Sequence, residues 1–423
     1  MKIVLICYFL TAIVVVARIA QSAFVQPFSD GKELSFTTRI LSSAVISGKT
    51  ERFSVMAEGR KLSLTLPRFS GYGYGDLISV SGKVNTSVLD DKRVVSSMYF
   101  PIIKKISNDT GVIFWVAGWI RSRVDVVFSH ALPHDQAKLL MGIVFGINPG
   151  FDKSDQDAFV KTGVMHVIAA SGMNVTLLAG FLMPLFGRVM RRQFALAFTI
   201  LAIGGYAVLS GLSASIVRAA IMSSVGFVGM MLGRQKTAFV AMYLTGCIMI
   251  LITPSVIFDI GFQLSFAATL GILLLKPLFP EPKRLKGILF DDFTTTFSAQ
   301  ITTMPILLYY FHTLGVLSLL VNVLVLWIVP PVMIIGSMAA IIGLVSSWLG
   351  ILIAVLAMPF LLYFFTIIRF FGSLSPVVTI STLPLSLVIG YYFLIFFLTL
   401  LMLRLKAYPK KNSVAMGVSS ESA

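Results

Sequence analysis

The sequence predicts a polytopic α-helical membrane protein with a small extracytoplasmic all-β domain near its N-terminus. Hydrophobic residues make up 57% of the 423 residues and charged residues only 12%, whereas about a quarter of a soluble domain is charged. Residues 163–186 contain no Asp, Glu, Lys or Arg and are long enough to cross a bilayer. Residues 24–107 instead alternate polar and apolar side chains, which is typical of half-buried strands. Together these observations exclude a soluble globular protein.

The first residues predict a transmembrane anchor over residues 1–20, with Met1 in the cytoplasm. Lys2 precedes an apolar run over residues 3–17, and Arg18 follows it. No convincing small-residue cleavage site follows the run, although a secretory signal peptide that ends at residues 21–23 is the alternative.

The net charge of +16 comes from 34 Lys and Arg against 18 Asp and Glu. Cationic cytoplasmic loops, as in any inner-membrane protein, explain this excess, and nucleic acid or anionic lipid as a partner is the alternative. Cys7 and Cys247 both lie in apolar runs, so no exported disulfide is predicted.

The predicted β domain covers residues 24–107, where glycines separate short strands and suggest a small barrel. One part of it interleaves cations with aromatic rings, which suits the phosphates and bases of single-stranded DNA. The candidates for single-stranded DNA binding are Arg60, Lys61, Arg68, Phe69, Tyr72 and Tyr74. The alternative is a turn whose tyrosines pack on the barrel and whose cations are solvated.

Residues 110–162 predict an amphipathic helix at the outer membrane surface and a connector. Trp115 and Trp119 would lie at the level of the lipid headgroups. The apolar part of residues 132–146 is too short to span the bilayer. Residues 148–161 form a polar connector with Asp152, Asp155 and Asp157, which lacks the glycine and terminal Glu of a calcium loop and predicts a solvated loop or helix cap.

Residues 163–405 predict the membrane bundle, and polar groups within its spans need partners. On a helix, His166 and Asn174 lie near one face, with Ser171 alongside, so this face should point at a protein or water-filled interior. A break of the helix at residues 171–172 is an alternative. Arg218 is predicted to pair with Asp259 or to line a polar cavity, the alternative being lipid phosphate.

Basic clusters set the predicted orientation by the positive-inside rule. Those near residues 188–192, 234–236, 276–286 and 404–411 fall on one side, which places both termini in the cytoplasm and the β domain outside. Residues 316–345 are too long for one simple span and contain Pro330 and Pro331, which predicts one broken or re-entrant passage. Residues 348–369 and 383–402 complete the bundle, and residues 406–423 are predicted to be a disordered cytoplasmic tail.

Four segments resemble the ComEC competence-protein family, the inner-membrane DNA channel of natural transformation. HVIAASGMNVTLLAGFL resembles the family signature HLLAISGLHVGLL, with Asn174 where the family generally has a second His. DIGFQLSFAATLGIL and the segments 300–312 and 318–330 follow in the family's order. The resemblance implies an OB-type fold for the β domain and conduction of single-stranded DNA. The predicted pore-lining candidates are His166, Ser171, Asn174, Arg218, Asp259, Gln263, Gln300 and Asn322.

Many family members also carry a metallo-β-lactamase-like domain, whose metal ligands include closely spaced histidines. The four histidines of this sequence form no HxHxDH arrangement, so the chain is expected to lack that domain, catalytic residues, cofactors and metals. The resemblance implies a separate DNA receptor, helicase-type translocase and nuclease, while the oligomeric state stays open. The alternatives are an exporter or flippase of lipid or polysaccharide, and an intramembrane hydrolase with His166 and Ser171 as base and nucleophile.

Overall fold

The computed structural model describes fifteen stretches of the chain. They are residues 28–41, 45–47, 50–58, 60–68, 70–88, 94–106, 111–147, 150–164, 172–232, 238–279, 288–311, 313–315, 317–374, 377–379 and 383–407. The predicted anchor over residues 1–20 and nearly all of the predicted tail lie outside these stretches.

Eight strands lie in the described part of the β domain, and the strands predicted from the alternating pattern are confirmed. They are β1 (Glu33–Arg39), β2 (Val45–Ser47), β3 (Thr50–Ala57), β4 (Arg60–Pro67), β5 (Leu77–Lys83), β6 (Asn85–Val88), β7 (Val94–Tyr99) and β8 (Ile102–Lys105). One sheet has the order β1-β5-β8 and the other the order β2-β3-β4-β7-β6, with β4 and β7 parallel. Inward side chains of both sheets, such as Phe53, Leu64, Val80 and Met98, share one buried core. The OB type of this two-sheet domain stays a prediction.

Fourteen α-helices and a small two-stranded sheet are described in the rest of the chain. The helices are α1 (Val112–Ala131), α2 (His134–Phe145), α3 (Lys153–Thr162), α4 (Gly172–Val189), α5 (Arg192–Leu209), α6 (Ala214–Met231), α7 (Ala238–Ile252), α8 (Ile260–Leu275), α9 (Ile288–Phe311), α10 (Ser318–Leu326), α11 (Val329–Val345), α12 (Ser347–Val355), α13 (Met358–Leu374) and α14 (Leu385–Ala407). The strands β9 (Thr313–Gly315) and β10 (Val377–Thr379) pair with each other.

The chain is a polytopic helical membrane protein. Four described helices are long and apolar enough to cross a bilayer, namely α4, α5, α8 with the turn that follows it, and α14. Two further crossings arise if each bent pair is one span: α10 and α11 meet at 45°, and α12 and α13 at 46°. Most exposed apolar side chains of these helices are expected to contact lipid, because a bilayer solvates them.

The broken passage predicted over residues 316–345 agrees with the first bent pair. Pro330 and Pro331 have no amide hydrogen, so the carbonyl groups of Leu326 and Trp327 lose their helical partners there. The stretch predicted over residues 348–369 to complete the bundle lies in the second bent pair, which is a broken span or a re-entrant loop. Pro359 deprives the carbonyl of Val355 of its partner in the same way, and the chain bends between α12 and α13.

Three buried clusters organise the helices. The largest joins α1, α2 and α3 to the helices α10 to α13, a second lies among α4, α5 and α6, and a small one lies between α7 and α8. The predicted connector over residues 148–161 contains α3, which packs against α13. α3 ends at Gly163 in the left-handed conformation. Val164 still belongs to the first cluster, and Val175 of α4 belongs to the second.

Candidate functional site

The segment that joins the two clusters, residues 165–171, lies outside the described residues, and it includes His166 and Ser171. Their predicted helical face is therefore not tested. The described residues on either side, Gly163 and Gly172, each contact a group of polar side chains. We call these the upstream and the downstream polar groups.

The upstream polar group consists of Gln300 on α9 and of Ser318 and Asn322 on α10. The Nε2 of Gln300 donates to the Oγ of Ser318 at 2.8 Å, and Asn322 lies one turn further along α10. Gly163 packs so tightly here that a Cβ on it would lie 2.6 Å from the Cβ of Ser318. The Oε1 of Gln300 and the Oδ1 of Asn322 are buried without a hydrogen-bond partner. Buried acceptors of this kind are costly unless water or a ligand reaches them.

The downstream polar group surrounds Arg218 on α6, whose side chain is buried. Its Nη1 donates to the backbone carbonyl of Ser265 and, at 3.0 Å, to the Oγ1 of Thr269 on α8. Its Nε has no partner, and its Nη2 lies against Gly172, where a Cβ would be 3.2 Å away. A buried guanidinium bonded to neutral oxygens keeps its full positive charge available to an anion.

The predicted ion pair between Arg218 and Asp259 is absent among the described residues. Asp259 instead caps α8, where its Oδ1 accepts from the backbone N–H of Phe262 at 3.1 Å. Gln263 donates to the carbonyl of Ile257 at 2.9 Å at the same end of the helix. A short carboxylate satisfied at a helix N-terminus has no reason to reach for a more distant cation.

Asn174 forms part of a buried joint between α4, α5 and the end of α2. Its Nδ2 donates to the carbonyl of Ile143 at 2.8 Å and lies 3.2 Å from the Oη of Tyr206. Tyr206 donates in turn to the carbonyl of Val144 at 2.9 Å. These bonds place Asn174 in the protein interior, where its amide ties three helices together.

α9 is more polar than the four described helices that are apolar enough to cross a bilayer, and it is not one of them. It packs against α8, α10 and α14. Hydroxyl and amide side chains recur along it: Thr294, Ser298, Gln300, Thr302 and Thr303. Most of the hydroxyls bond to carbonyls one turn earlier, which keeps them satisfied inside the bundle.

Comparison with known proteins identifies the region that holds both polar groups. The family model described as "Competence protein" matches residues 143–405, which is more than half of the chain. The chain belongs to the competence-protein family. It is also 29% identical over 206 residues to "ComE operon protein 3" of Bacillus subtilis (strain 168). That match covers 48% of this chain and 26% of the relative. No solved structure matches.

Sequence reasoning missed several members of the two polar groups within the family region. Ser318 and Thr269 carry no signal in the sequence, because Ser and Thr in helices ordinarily bond to their own backbone. Ser265 contributes its backbone carbonyl, which a residue of any type would supply. Gln300, Asn322 and Arg218 were found because such groups are expensive inside a membrane.

Outside the family region, the predicted DNA-binding residues of the β domain are mostly engaged in the fold. Tyr72 packs on the core and donates to the carbonyl of Ile103, and the guanidinium of Arg60 lies 4.6 Å from the ring centre of Phe28. Arg68 is exposed. Phe69 and the side chain of Lys61 lie outside the described part of the chain. These contacts support the packing alternative for this stretch.

Tyr74 joins the β domain to the helices together with Arg121 of α1. The Arg121 guanidinium stacks 3.6 Å from the Tyr74 ring centre, and its Nε donates to the carbonyl of Leu209 at the end of α5 at 2.6 Å. The Tyr74 hydroxyl donates to the neighbouring carbonyl of Val208. Burial lowers the pKa of Arg121 to about 10, while burial raises the pKa of Tyr74 against the opposing effect of the cation.

A second charged contact lies between α3 and α13. Arg369 of α13 forms two parallel bonds to the carboxylate of Asp155, both at 3.0 Å, and lies 3.6 Å from Asp135. Arg369 and Asp155 border an open cavity of about 350 Å³ that Lys161 and Ser373 also line. The predicted solvated Asp155 is therefore buried and paired. The part of the chain that the structure describes contains no group of three His, Cys, Asp or Glu that could hold a metal.

Proposed function

We propose that this protein is an inner-membrane channel that conducts single-stranded DNA into the cytoplasm during natural competence. The family match over residues 143–405 carries the proposal, since it contains both polar groups, the polar helix α9 and the joint at Asn174. Single-stranded DNA would pass between the two polar groups, along a path to which residues 165–171 contribute.

The chemistry of the two polar groups suits passage of a polyanion. Arg218 offers positive charge that no described carboxylate neutralises, and Gln300 and Asn322 offer neutral acceptors for base and sugar donors. A path with many neutral polar groups and few charges binds the strand well enough for it to enter, but weakly enough for it to leave each site. The path needs no covalent chemistry, and we propose that the chain itself is not an enzyme.

The orientation follows from charge. With basic clusters at residues 188–192 and 404–406 in the cytoplasm, the β domain and the end of α3 face outside, where DNA arrives. A separate DNA receptor would deliver the strand, a separate nuclease would degrade its complement, and a separate helicase-type translocase would supply the energy.

A transformation assay tests the proposal directly. A deletion strain complemented by this chain should recover transformants and internalise labelled DNA into the cytoplasm. Replacing Arg218 by Gln should lower uptake at least tenfold, whereas the conservative exchange Thr366→Ser on α13 serves as a control that should not. Accumulation of a lipid or polysaccharide precursor in the deletion strain, with normal DNA uptake, would instead identify an exporter or flippase.

A further inference from the structure

The outward face of the five-stranded sheet carries an exposed aromatic ring beside a cation. Paired positions on adjacent strands point to the same face, and Arg52, Thr65 and Tyr99 pair in register across β3, β4 and β7. Because the inward neighbours Phe53 and Met98 are buried, these three positions point away from the core, although Thr65 itself is buried between Arg52 and Tyr99. Arg52 is exposed and Tyr99 is 54% exposed.

The next row of the same face is made of small polar side chains. Ser54, Ser63 and Ser97 pair across the same three strands, and Asn85 continues the row onto β6. Ser97 is buried, and its hydroxyl donates to the carbonyl of Asn85 at 3.3 Å. The outward positions of the described strands of this sheet carry no Asp or Glu. Neighbouring strands lie about 4.8 Å apart, so a cation, hydroxyls and a ring lie within about 10 Å of one another. An anionic ligand meets no repulsion on this face.

Phe100 extends this face at the end of β7 and is held there under strain. Its backbone N–H donates to the carbonyl of Thr65 at 2.9 Å, which fixes the residue beside the Arg52–Thr65–Tyr99 row. Its φ is +49°, a conformation that favours glycine, yet its ring is 59% exposed and gains little burial in return. A strained backbone with an exposed ring is the pattern of a residue placed for a ligand.

The position of Phe100 leaves it accessible from outside the bundle. Gly75, just before β5, packs on Phe114 of α1, whereas the turn after Phe100 lies against Gly82 at the other end of β5. The rings therefore lie at the end of the domain away from the helices. A ligand could reach them before it reaches the membrane.

We propose that Arg52, Tyr99 and Phe100 form a platform that binds single-stranded DNA, with the two rings stacking on bases and Arg52 contacting phosphate. This inference rests on the proposed transport of single-stranded DNA, and it places the first contact away from the stretch between Arg60 and Tyr74. Exposed rings accept any base, which suits a protein that takes up DNA of any sequence. A duplex keeps its bases stacked inside, so it presents no free faces to the rings.

Binding of a fluorescent oligothymidine by the full-length purified protein in nanodiscs tests the platform. Tyr99→Ala and Phe100→Gly should each weaken binding about tenfold or more, since a stacked base is lost. Phe100→Gly relieves the positive φ, so its unfolding temperature should equal or exceed that of the wild type while binding falls. Tyr99→Phe keeps a ring and should keep the affinity. Arg52→Gln should lower the dependence of log affinity on log salt by about 0.7.

Ile102→Ala is the matched control, because Ile102 is 69% exposed on the other sheet, and it should leave the affinity unchanged. Wild-type affinity in the Tyr99→Ala/Phe100→Gly double variant would overturn the platform, as would equally tight binding of a duplex of the same length. The proposed channel function is tested separately, by measuring whether the wild-type chain restores transformation to a deletion strain. Restored transformation with an unaffected double variant would leave the channel standing and remove only the platform.

Discussion

Arg121 is the residue through which the β domain, α1 and α5 meet. Replacing it by Ala removes a charged hydrogen bond to Leu209 and the stacking on Tyr74, and should cost about 2–4 kcal/mol. Thermal unfolding in detergent measures the loss. Arg123→Ala is the control, since Arg123 is exposed and should change stability by less than about 0.5 kcal/mol. Equal effects of the two variants would contradict the role of Arg121 in linking the β domain to α1 and α5.

The lowered pKa of Arg121 also fixes the pH range of its effect. A pKa of about 10, well below the ordinary value of an arginine, means that the unfolded chain holds this proton more tightly than the folded chain. The pH-dependent part of the stability therefore begins near pH 10 and grows as the pH rises further. From pH 5 to 8 the stability difference between wild type and Arg121→Ala should stay constant, which denaturation at several pH values checks.

At Asp259, the cap and the predicted ion pair give opposite expectations. Asn caps a helix as well as Asp does, so Asp259→Asn should be nearly neutral, whereas Asp259→Ala should cost about 1 kcal/mol. An ion pair with Arg218 would instead make Asp259→Asn as harmful as Asp259→Ala. Unfolding temperatures of the two variants, with transformation as a second readout, decide between these outcomes.

These residues also show what the sequence could predict at the site. Polarity within an apolar run identified Arg218, Gln300 and Asn322, because each such group must be satisfied inside the membrane. It did not identify their partners. Arg218 and Asp259 were expected to pair because they lie at similar depths in the membrane. The rotation of each helix about its axis instead places the guanidinium against Ser265 and Thr269.

Among the elements, the contact between α8 and α9 depends on Gly271. A Cβ there would lie 2.5 Å from the carbonyl oxygen of Ser298 and would also overlap Thr302. Gly271→Ala should therefore separate the helices and cost about 1–3 kcal/mol, with reduced uptake. Gly229→Ala on α6 is the control, since nothing lies within 4 Å of its Cβ. If both glycines tolerate Ala equally in unfolding assays, close packing of α8 on α9 is wrong.

The helices and strands were more predictable from the sequence than the bends and contacts between them. Alternation of polar and apolar residues identified the strands of the β domain, and two adjacent prolines identified the bend before α11. The bend at Pro359 was missed because the apolar run over residues 348–369 continues unbroken across it. α3 was missed because a mostly polar stretch of ten residues looks like a loop when the partner that stabilises the helix, α13, lies far away in the sequence.

For the whole molecule, the proposed orientation predicts which positions a membrane-impermeant thiol reagent reaches. With Cys7 and Cys247 replaced by Ser, a cysteine at Ser79 on β5 should be labelled when the reagent reaches the outer face of the inner membrane but not the cytoplasm. A cysteine at Arg188, at the end of α4, should be labelled only after lysis, because a basic cluster marks that side as cytoplasmic. Labelling of both positions in intact cells, or of Arg188 alone, would contradict the proposed orientation.

The ion pair between Asp155 and Arg369 connects parts of the chain 214 residues apart, and it holds α3 just before the link of residues 165–171. Asp155 is buried but Arg369 is 56% exposed, so solvent screens the pair, and a coupling of about 1 kcal/mol is expected. A double-mutant cycle with Asp155→Asn and Arg369→Gln measures it, and the coupling should shrink in high salt. The matched cycle with Asp135→Asn should give less, because its contact with Arg369 is longer, at 3.6 Å. If breaking the stronger contact also lowers DNA uptake while unfolding temperature falls only slightly, α3 positions the polar path as well as the fold. Unchanged uptake would confine the pair to stability.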